Sequence, residues 1–141
     1  MNGITFSNNP ELIDWKDLAS VFERAPLGTR EPSRLGKTFS GSSVCTFAWH
    51  ETHLIGAGRA VSDGVVYTAI FDVVVLPDYQ GKGIGKAIIE DLISRCGTDH
   101  FILFAVPGKE GFYEKLGFEK MNTAMGRFKD PMRQRQLGIL R

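Results

Sequence analysis

Apolar residues recur along the chain at two different periods, and the changes between them mark out its elements. Ile4 to Ser7 reads as a short first strand, whereas Trp15, Leu18, Ala19 and Phe22 return at helical spacing through Asp14 to Arg24. Pro26 and Gly28 stop that helix. Between Leu27 and Ser43 the sequence is rich in Gly, Ser, Arg and Pro, which predicts either a loop or one short helix around Pro32 to Gly36, in a kind of segment that often lines a binding site. Three β-rich runs follow, Val44 to Trp49, Leu54 to Val61 and Val65 to Leu76, with turn signals at His50 to His53 and at Ser62-Asp63-Gly64. That pattern predicts an antiparallel meander.

Pro77 cannot continue a hydrogen-bond ladder and so ends the third run. Ile84, Ala87, Ile88, Leu92 and Ile93 then form a helical stripe reaching about Cys96, with Gly97 suited to its C-terminus. Phe101 to Val106 reads as a short strand, Glu110 to Leu116 as a short helix, and Phe118 to Phe128 as a final strand or pair of strands. The polar tail from Lys129 to Arg141 carries no clear signal. The order β-α-(α)-β-β-β-α-β-α-β predicts an α+β fold, a mixed but mostly antiparallel sheet with helices on its faces, rather than a regularly alternating α/β fold.

Composition narrows the function. A chain of 141 residues fits a single domain over 1–141, and Lys plus Arg at 17 against Asp plus Glu at 16 leaves a formal charge of +1. No global field pulls such a protein onto nucleic acid or a membrane, so a small ligand is the expected partner, and a homodimer is left open. Met1 to Phe6 lacks a signal-peptide pattern and no 18-residue apolar span occurs, which makes the cytoplasm the default expectation. Two isolated cysteines, Cys45 and Cys96, make neither a disulfide framework nor a zinc site and are read as reduced, buried thiols. No metal is expected.

The candidate chemistry begins at Gln80-Gly81-Lys82-Gly83-Ile84-Gly85-Lys86, between a strand and a helix. Glycines there let backbone approach a ligand closely, and the helix start offers unpaired N–H groups and positive dipole to phosphate, with charge added by Lys82 and Lys86. A Walker A loop needs Ser or Thr after its lysine, but Lys86 precedes Ala87. A dinucleotide fingerprint needs a wider interval between its second and third glycines and a parallel βαβ setting. Taken alone, the stretch reads as a glycine-rich turn entering a helix, with solvated lysines.

The run Val75-Leu76-Pro77-Asp78-Tyr79-Gln80-Gly81-Lys82-Gly83-Ile84-Gly85-Lys86, followed downstream by Phe112-Tyr113-Glu114-Lys115-Leu116-Gly117-Phe118, resembles the two signature segments of the GCN5-related N-acetyltransferase (GNAT) superfamily in order and separation. The resemblance extends through the element order from about Val44 to Phe128. It implies a fold in which the strand matching Ile70 to Leu76 splays from the one matching Phe101 to Val106, with the pantetheine arm of acetyl-CoA between them. It also implies that backbone groups of the Val73, Val74 and Val75 segment bond the pantetheine, that residues 80 to 86 hold the pyrophosphate, and that Phe112 belongs to the cofactor site. The implied reaction is acetyl transfer to a primary amine by direct attack in a ternary complex. The Val73 N–H is the implied oxyanion donor, and Tyr113 matches the tyrosine that protonates the coenzyme A sulfur; core packing is the competing reading for Tyr113 as for the valines.

Two departures from the family stand out. Some members carry a Glu where this chain has Ala69, and many carry an Asn where it has Val106. The general base therefore stays unassigned among Asp72, His50, Glu110 and water, with Asp72 set by strand alternation opposite the face of Ala69, Phe71 and Val73. Trp15, Phe22, Phe39, Trp49 and Phe71 are candidates for an aromatic acceptor site or for core, and Glu31, Asp63 and Asp72 for attracting an ammonium group. A small-molecule amine is the leading acceptor, with a peptide or protein amine as alternative. A non-catalytic acyl-CoA-binding module and a nucleotide-binding protein are the competing classes.

Overall fold

Local caps decide where the first helices begin. The Asp14 side chain accepts the Lys16 N–H and the Glu31 side chain accepts those of Ser33 and Arg34, satisfying donors that a first turn leaves unpaired. In the computed structural model, which describes residues 3–141, helix α1 accordingly spans Trp15–Arg24 and α2 spans Pro32–Ser40. The second is longer than the short helix expected around Pro32 to Gly36. Gly36 does not stop it: a Cβ there would lie 2.9 Å from Trp15 Nε1, so the glycine admits the indole against the helix.

Cα packing divides the chain into two units, one ending at Leu103 and the other running from Phe104 to Arg141. The first unit holds a five-stranded sheet: β1 Ile4–Ser7, β2 Val44–His50, β3 His53–Ser62, β4 Tyr67–Val75 and β5 His100–Ile102. The strands lie side by side in chain order, with β1 through β4 antiparallel and β5 parallel to β4. The α+β fold with a mixed, mostly antiparallel sheet is as the alternation predicts.

Directly paired residues share a face of the sheet, so Phe47, Ala57 and Val74 line up on one side. There the Phe47 ring packs 5.6 Å from Phe39 and 6.3 Å from Trp15, over buried Leu18 and Phe22. Helix α3, Ile84–Cys96, covers the other side and presses on Gly56 and Gly58. A Cβ on Gly58 would lie 2.7 Å from Ile88 Cγ2 and 3.3 Å from Leu92 Cδ1, so these glycines set how closely the helix approaches the sheet. That depth in turn places the glycine loop feeding α3.

Strand β5 is shorter than the Phe101 to Val106 run suggests and pairs with β4 only from Tyr67↔His100 to Ala69↔Ile102.

In the second unit, α4 spans Glu110–Glu114 and α5 spans Pro131–Gln136, a helix in the tail where the sequence carries no clear signal. Gly117, at φ +92°, ends α4 by letting the Phe118 N–H reach the Tyr113 carbonyl and its own N–H reach that of Glu114. The strand or pair expected over Phe118 to Phe128 is absent among the described residues. Residues 119–127 are all exposed and the apolar Met121 and Met125 sit four apart, so the segment offers no alternating face to bury.

Candidate active site

The glycine stretch has the backbone geometry that an anion cradle needs. Gly81 and Gly83 take φ of +76° and +84°, and a Cβ on either would meet nothing within 4 Å, so conformation rather than crowding requires glycine there. Gly83 is the N-cap of α3 and supplies no side-chain acceptor. The first internal helix bond runs from the Ala87 N–H to the Gly83 carbonyl, and among the described residues no hydrogen bond is made by the backbone N–H groups from Gly81 to Lys86. A row of unpaired donors at the positive end of a 13-residue helix suits a pyrophosphate.

Side chains around the loop divide into anchors and solvated charges. Ile84 is buried in the core, so only its backbone is available to a ligand. Gln80 turns back and donates from Nε2 to the Val75 carbonyl at 2.9 Å, pinning the loop to the end of β4. Lys82 Nζ stands 5.8 Å from the centroid of the Tyr79 ring, and exposed Lys86 lies 3.9 Å from Glu90 one turn along the helix.

Upstream, β4 carries a bulge that alternation could not reveal. Arg59 pairs with Phe71 and Ala57 with Val74, so Gly58 alone opposes both Asp72 and Val73. Asp72 absorbs the extra residue at φ +56°, a left-handed conformation unusual for a side-chain-bearing residue. Asp72 stays opposite Val73, as alternation predicts, but the expectation that it also lies opposite the face of Ala69 and Phe71 is corrected. Its carboxylate accepts from Arg59 Nε at 2.7 Å, on the face Arg59 shares with Phe71, whereas Val73 Cγ2 lies beside Gly58 on the α3 side. Val74 is core, so only its backbone can meet a cofactor. Val73 and Val75 are half-buried on the stretch of β4 that β5 does not pair.

Tyr113 lies in α4 with its ring 5.0 Å from Phe112 and 5.9 Å from Phe118, both near edge-on. Burial pushes its phenol above its ordinary pKa, which keeps the proton on oxygen throughout neutral pH. No hydrogen bond of its hydroxyl occurs among the described residues, so that proton is uncommitted. Phe112 is exposed.

The carboxylates that sequence offered as base or ammonium trap are engaged elsewhere. Burial alone would raise the Asp72 carboxyl, but hydrogen bonds and charge from Arg59 and Arg30 outweigh it and hold the group below the usual carboxylate range. Glu31 is the N-cap of α2, its carboxyl lowered by Ser33 and Arg34. Asp63 accepts the N–H groups of Val65, Val66 and Tyr67 across the hairpin turn and is lowered by them. Glu110 accepts the Gly108 N–H at 3.0 Å. His50 pairs with His53 and bonds Tyr79 Oη through Nδ1 at 2.6 Å, which sets it about 17 Å along the strand from Gly58 at ~3.4 Å per residue. It is too distant to serve as base at the bulge.

Among the aromatic candidates, Phe22 and Phe39 are fully buried core, whereas Trp15, Trp49 and Phe71 are half-buried. Trp49 Nε1 donates to Ser7 Oγ at the β1 edge. Cys45 is buried, its thiol pushed up by burial, but Cys96 is only half-buried, contrary to expectation. Two residues that sequence reasoning passed over, Arg30 and Arg59, prove central. Arg59 and Asp72 are lone charges in the apolar runs of one hairpin, which was the available signal. No group of three or more His, Cys, Asp or Glu suited to a metal, and no helix long and apolar enough to cross a membrane, occurs among the described residues.

A family model described as an acetyltransferase (GNAT) domain matches residues 20–129. The chain is 34% identical over 116 residues to serotonin N-acetyltransferase 2, chloroplastic, of Oryza sativa subsp. japonica, and 44% identical over 130 residues to histone acetyltransferase TAP1 of Glycine max. These matches cover 75% and 82% of this chain and 56% of each relative, so the chain spans about half the length of the curated relatives it matches. A GNAT family acetyltransferase from Streptococcus pneumoniae TIGR4 superposes with a TM-score of 0.74 at 23% identity, covering 89% of this chain and 98% of that one, a likeness of fold.

Proposed function

This chain belongs to the GNAT acetyltransferase family, and on that premise we propose that it transfers an acetyl group from acetyl-CoA to a primary amine by direct attack within a ternary complex. The row of unpaired N–H groups from Gly81 to Lys86 at the start of α3 carries the reading, because it meets a pyrophosphate without side-chain help. The end of the β4–β5 ladder at Ala69↔Ile102 supports it, with the backbone of Val73 and Val75 beyond that point offered to the amides of a pantetheine arm as an added strand would use it.

Acetyl-CoA supplies an activated acyl group; the chain's own residues hold it and manage charge and protons. The Val73 N–H donates to the acyl oxygen as negative charge develops there, where a preorganised donor acts most strongly. Tyr113, kept protonated by its burial, gives its proton to the sulfur as the thiol departs. An alkylamine of pKa about 10 is only about one part in a thousand neutral at pH 7, so the amine must also lose a proton. With Asp72 clamped and no acid at Ala69, water takes that role.

The acceptor is read first as a small primary amine, with a peptide or protein amine as rival; the names of the rice and soybean relatives contain one of each. One observation favours a second reading, a non-catalytic acyl-CoA-binding module: the carboxylate at the bulge, Asp72, is committed to two arginines. Incubating the protein with acetyl-CoA and an amine panel that includes serotonin and a histone-tail peptide, with mass spectrometry of the products, separates these. Acetylated small amines support the leading reading, acetylated peptide alone selects the rival acceptor, and acetyl-CoA binding with no product selects the module. The expectation of a cytoplasmic setting is not carried forward, since the rice relative is a chloroplastic protein by name.

A further inference from the structure

Asp72 holds a left-handed conformation, φ +56°, that few side-chain-bearing residues adopt, and two arginines grip its carboxylate. Arg59 Nε donates to Oδ2 at 2.7 Å and Arg30 Nη1 to Oδ1 at 2.9 Å, one guanidinium on each oxygen. Their side chains are 17% and 33% exposed against 18% for Asp72, so the pair of bridges is only partly screened. Each guanidinium is also backed by a ring: Arg59 lies 5.0 Å from the centroid of Phe71, and Arg30 lies 4.2 Å from that of Phe22 in α1. Arg59 Nη1 reaches Ser42 Oγ at 3.3 Å, just beyond α2. One carboxylate thus ties the bulge of β4 to β3 and to the segment joining α1 to α2.

Resting on the function proposed above, we propose that Arg30 and Arg59 are positioning residues. They act through Asp72 to fix the bulge of β4, and with it the direction of the adjoining Val73 N–H toward the acyl oxygen. Arg30 adds a coupling, because it belongs to the α1–α2 segment. Displacing that segment pulls on the same carboxylate that sets the donor's direction. An ion pair serving stability alone needs no left-handed residue beside the donor; a device for aiming a backbone N–H uses one, since a bulge re-aims the residues beyond it.

The test compares Arg30→Met, Arg30→Lys, Asp72→Gly and Asp72→Ala with the unaltered chain. It reads kcat, KM for acetyl-CoA and for the amine, Tm, and the ¹H–¹⁵N resonance of Val73 in the acetyl-CoA complex. Glycine accepts φ +56° without strain and alanine does not. Asp72→Gly should therefore retain more kcat than Asp72→Ala while both fall below the unaltered chain. Arg30→Met should lower kcat on the order of tenfold, leave KM for acetyl-CoA within about twofold because the glycine loop still holds the pyrophosphate, and shift the Val73 resonance; Arg30→Lys should restore part of kcat. Losses confined to Tm, or to KM for the amine, with kcat and the Val73 resonance unmoved would overturn the proposal. If the unaltered chain acetylates no amine, the proposed function fails separately, and the Val73 resonance alone decides this one: a shift in Arg30→Met sustains it and an unmoved resonance refutes it.

Discussion

At the scale of single residues, protonation is where sequence and surroundings meet. Burial raises the Tyr113 phenol, so as the proposed acid it stays competent past its ordinary pKa of about 10. Tyr113→Phe should lower kcat by about 10²-fold while leaving the dissociation constant for coenzyme A nearly unchanged, as calorimetry would show, because the cradle is untouched. Asp72 runs the other way. Its folded pKa is depressed, so the stability it contributes is fully present above its unfolded value of about 3.9 and disappears as pH falls through the lower folded value. Asp72→Asn should therefore be less stable than the parent at pH 7 and lose less further stability on acidification below pH ~4, as urea melts across that range would record. The roles of Asp72 and its arginines were not legible from alternation. An aspartate at φ +56° announces no turn, and one extra residue in β4 exchanges the faces of everything beyond it.

Among the elements, those with chemical punctuation at both ends were legible. Ile84–Cys96 was legible nearly to the residue because Gly83 and Gly97, both left-handed, bracket a clean apolar stripe. The five strands were legible in order because turn residues separate them, whereas β5 was overdrawn, since an apolar run past Ile102 signals burial without signalling a partner. The helix α2 was underdrawn because Gly36 serves packing against Trp15, which only the tertiary structure shows. Two glycines offer tests at this scale. Gly58→Ala would drive a methyl to 2.7 Å from Ile88 Cγ2 and should destabilise the protein by about 1–3 kcal/mol, seen as a lower Tm. Gly83→Ala meets no neighbour within 4 Å but must hold φ +84°, so it should cost about 1–2 kcal/mol. Part of that cost should emerge as weaker acetyl-CoA binding, because the residue caps the cradle.

Across the whole molecule, the sheet's antiparallel run, its single parallel junction and the parting of β4 from β5 after Ala69 bring the bulge and the glycine loop to consecutive stretches of one chain. Val73 and Gly83 are thus supplied by one strand–loop–helix passage, and the short path between them explains why its sequence signature is dense. The acceptor side has no such economy. Its proposed residues lie on α1, α2, the segment between them and neighbouring strands, where aromatic residues divide between core and surface and Glu31 serves as a cap, so sequence could list the candidates but not rank them. A protein that moves an acetyl group to an amine releases free coenzyme A thiol only when an amine is present. With saturating acetyl-CoA and the amine panel, thiol release should require an amine and drop in Tyr113→Phe; acetyl-CoA binding without release on any amine, or ATP displacing it from the loop at micromolar levels, would contradict acetyl transfer.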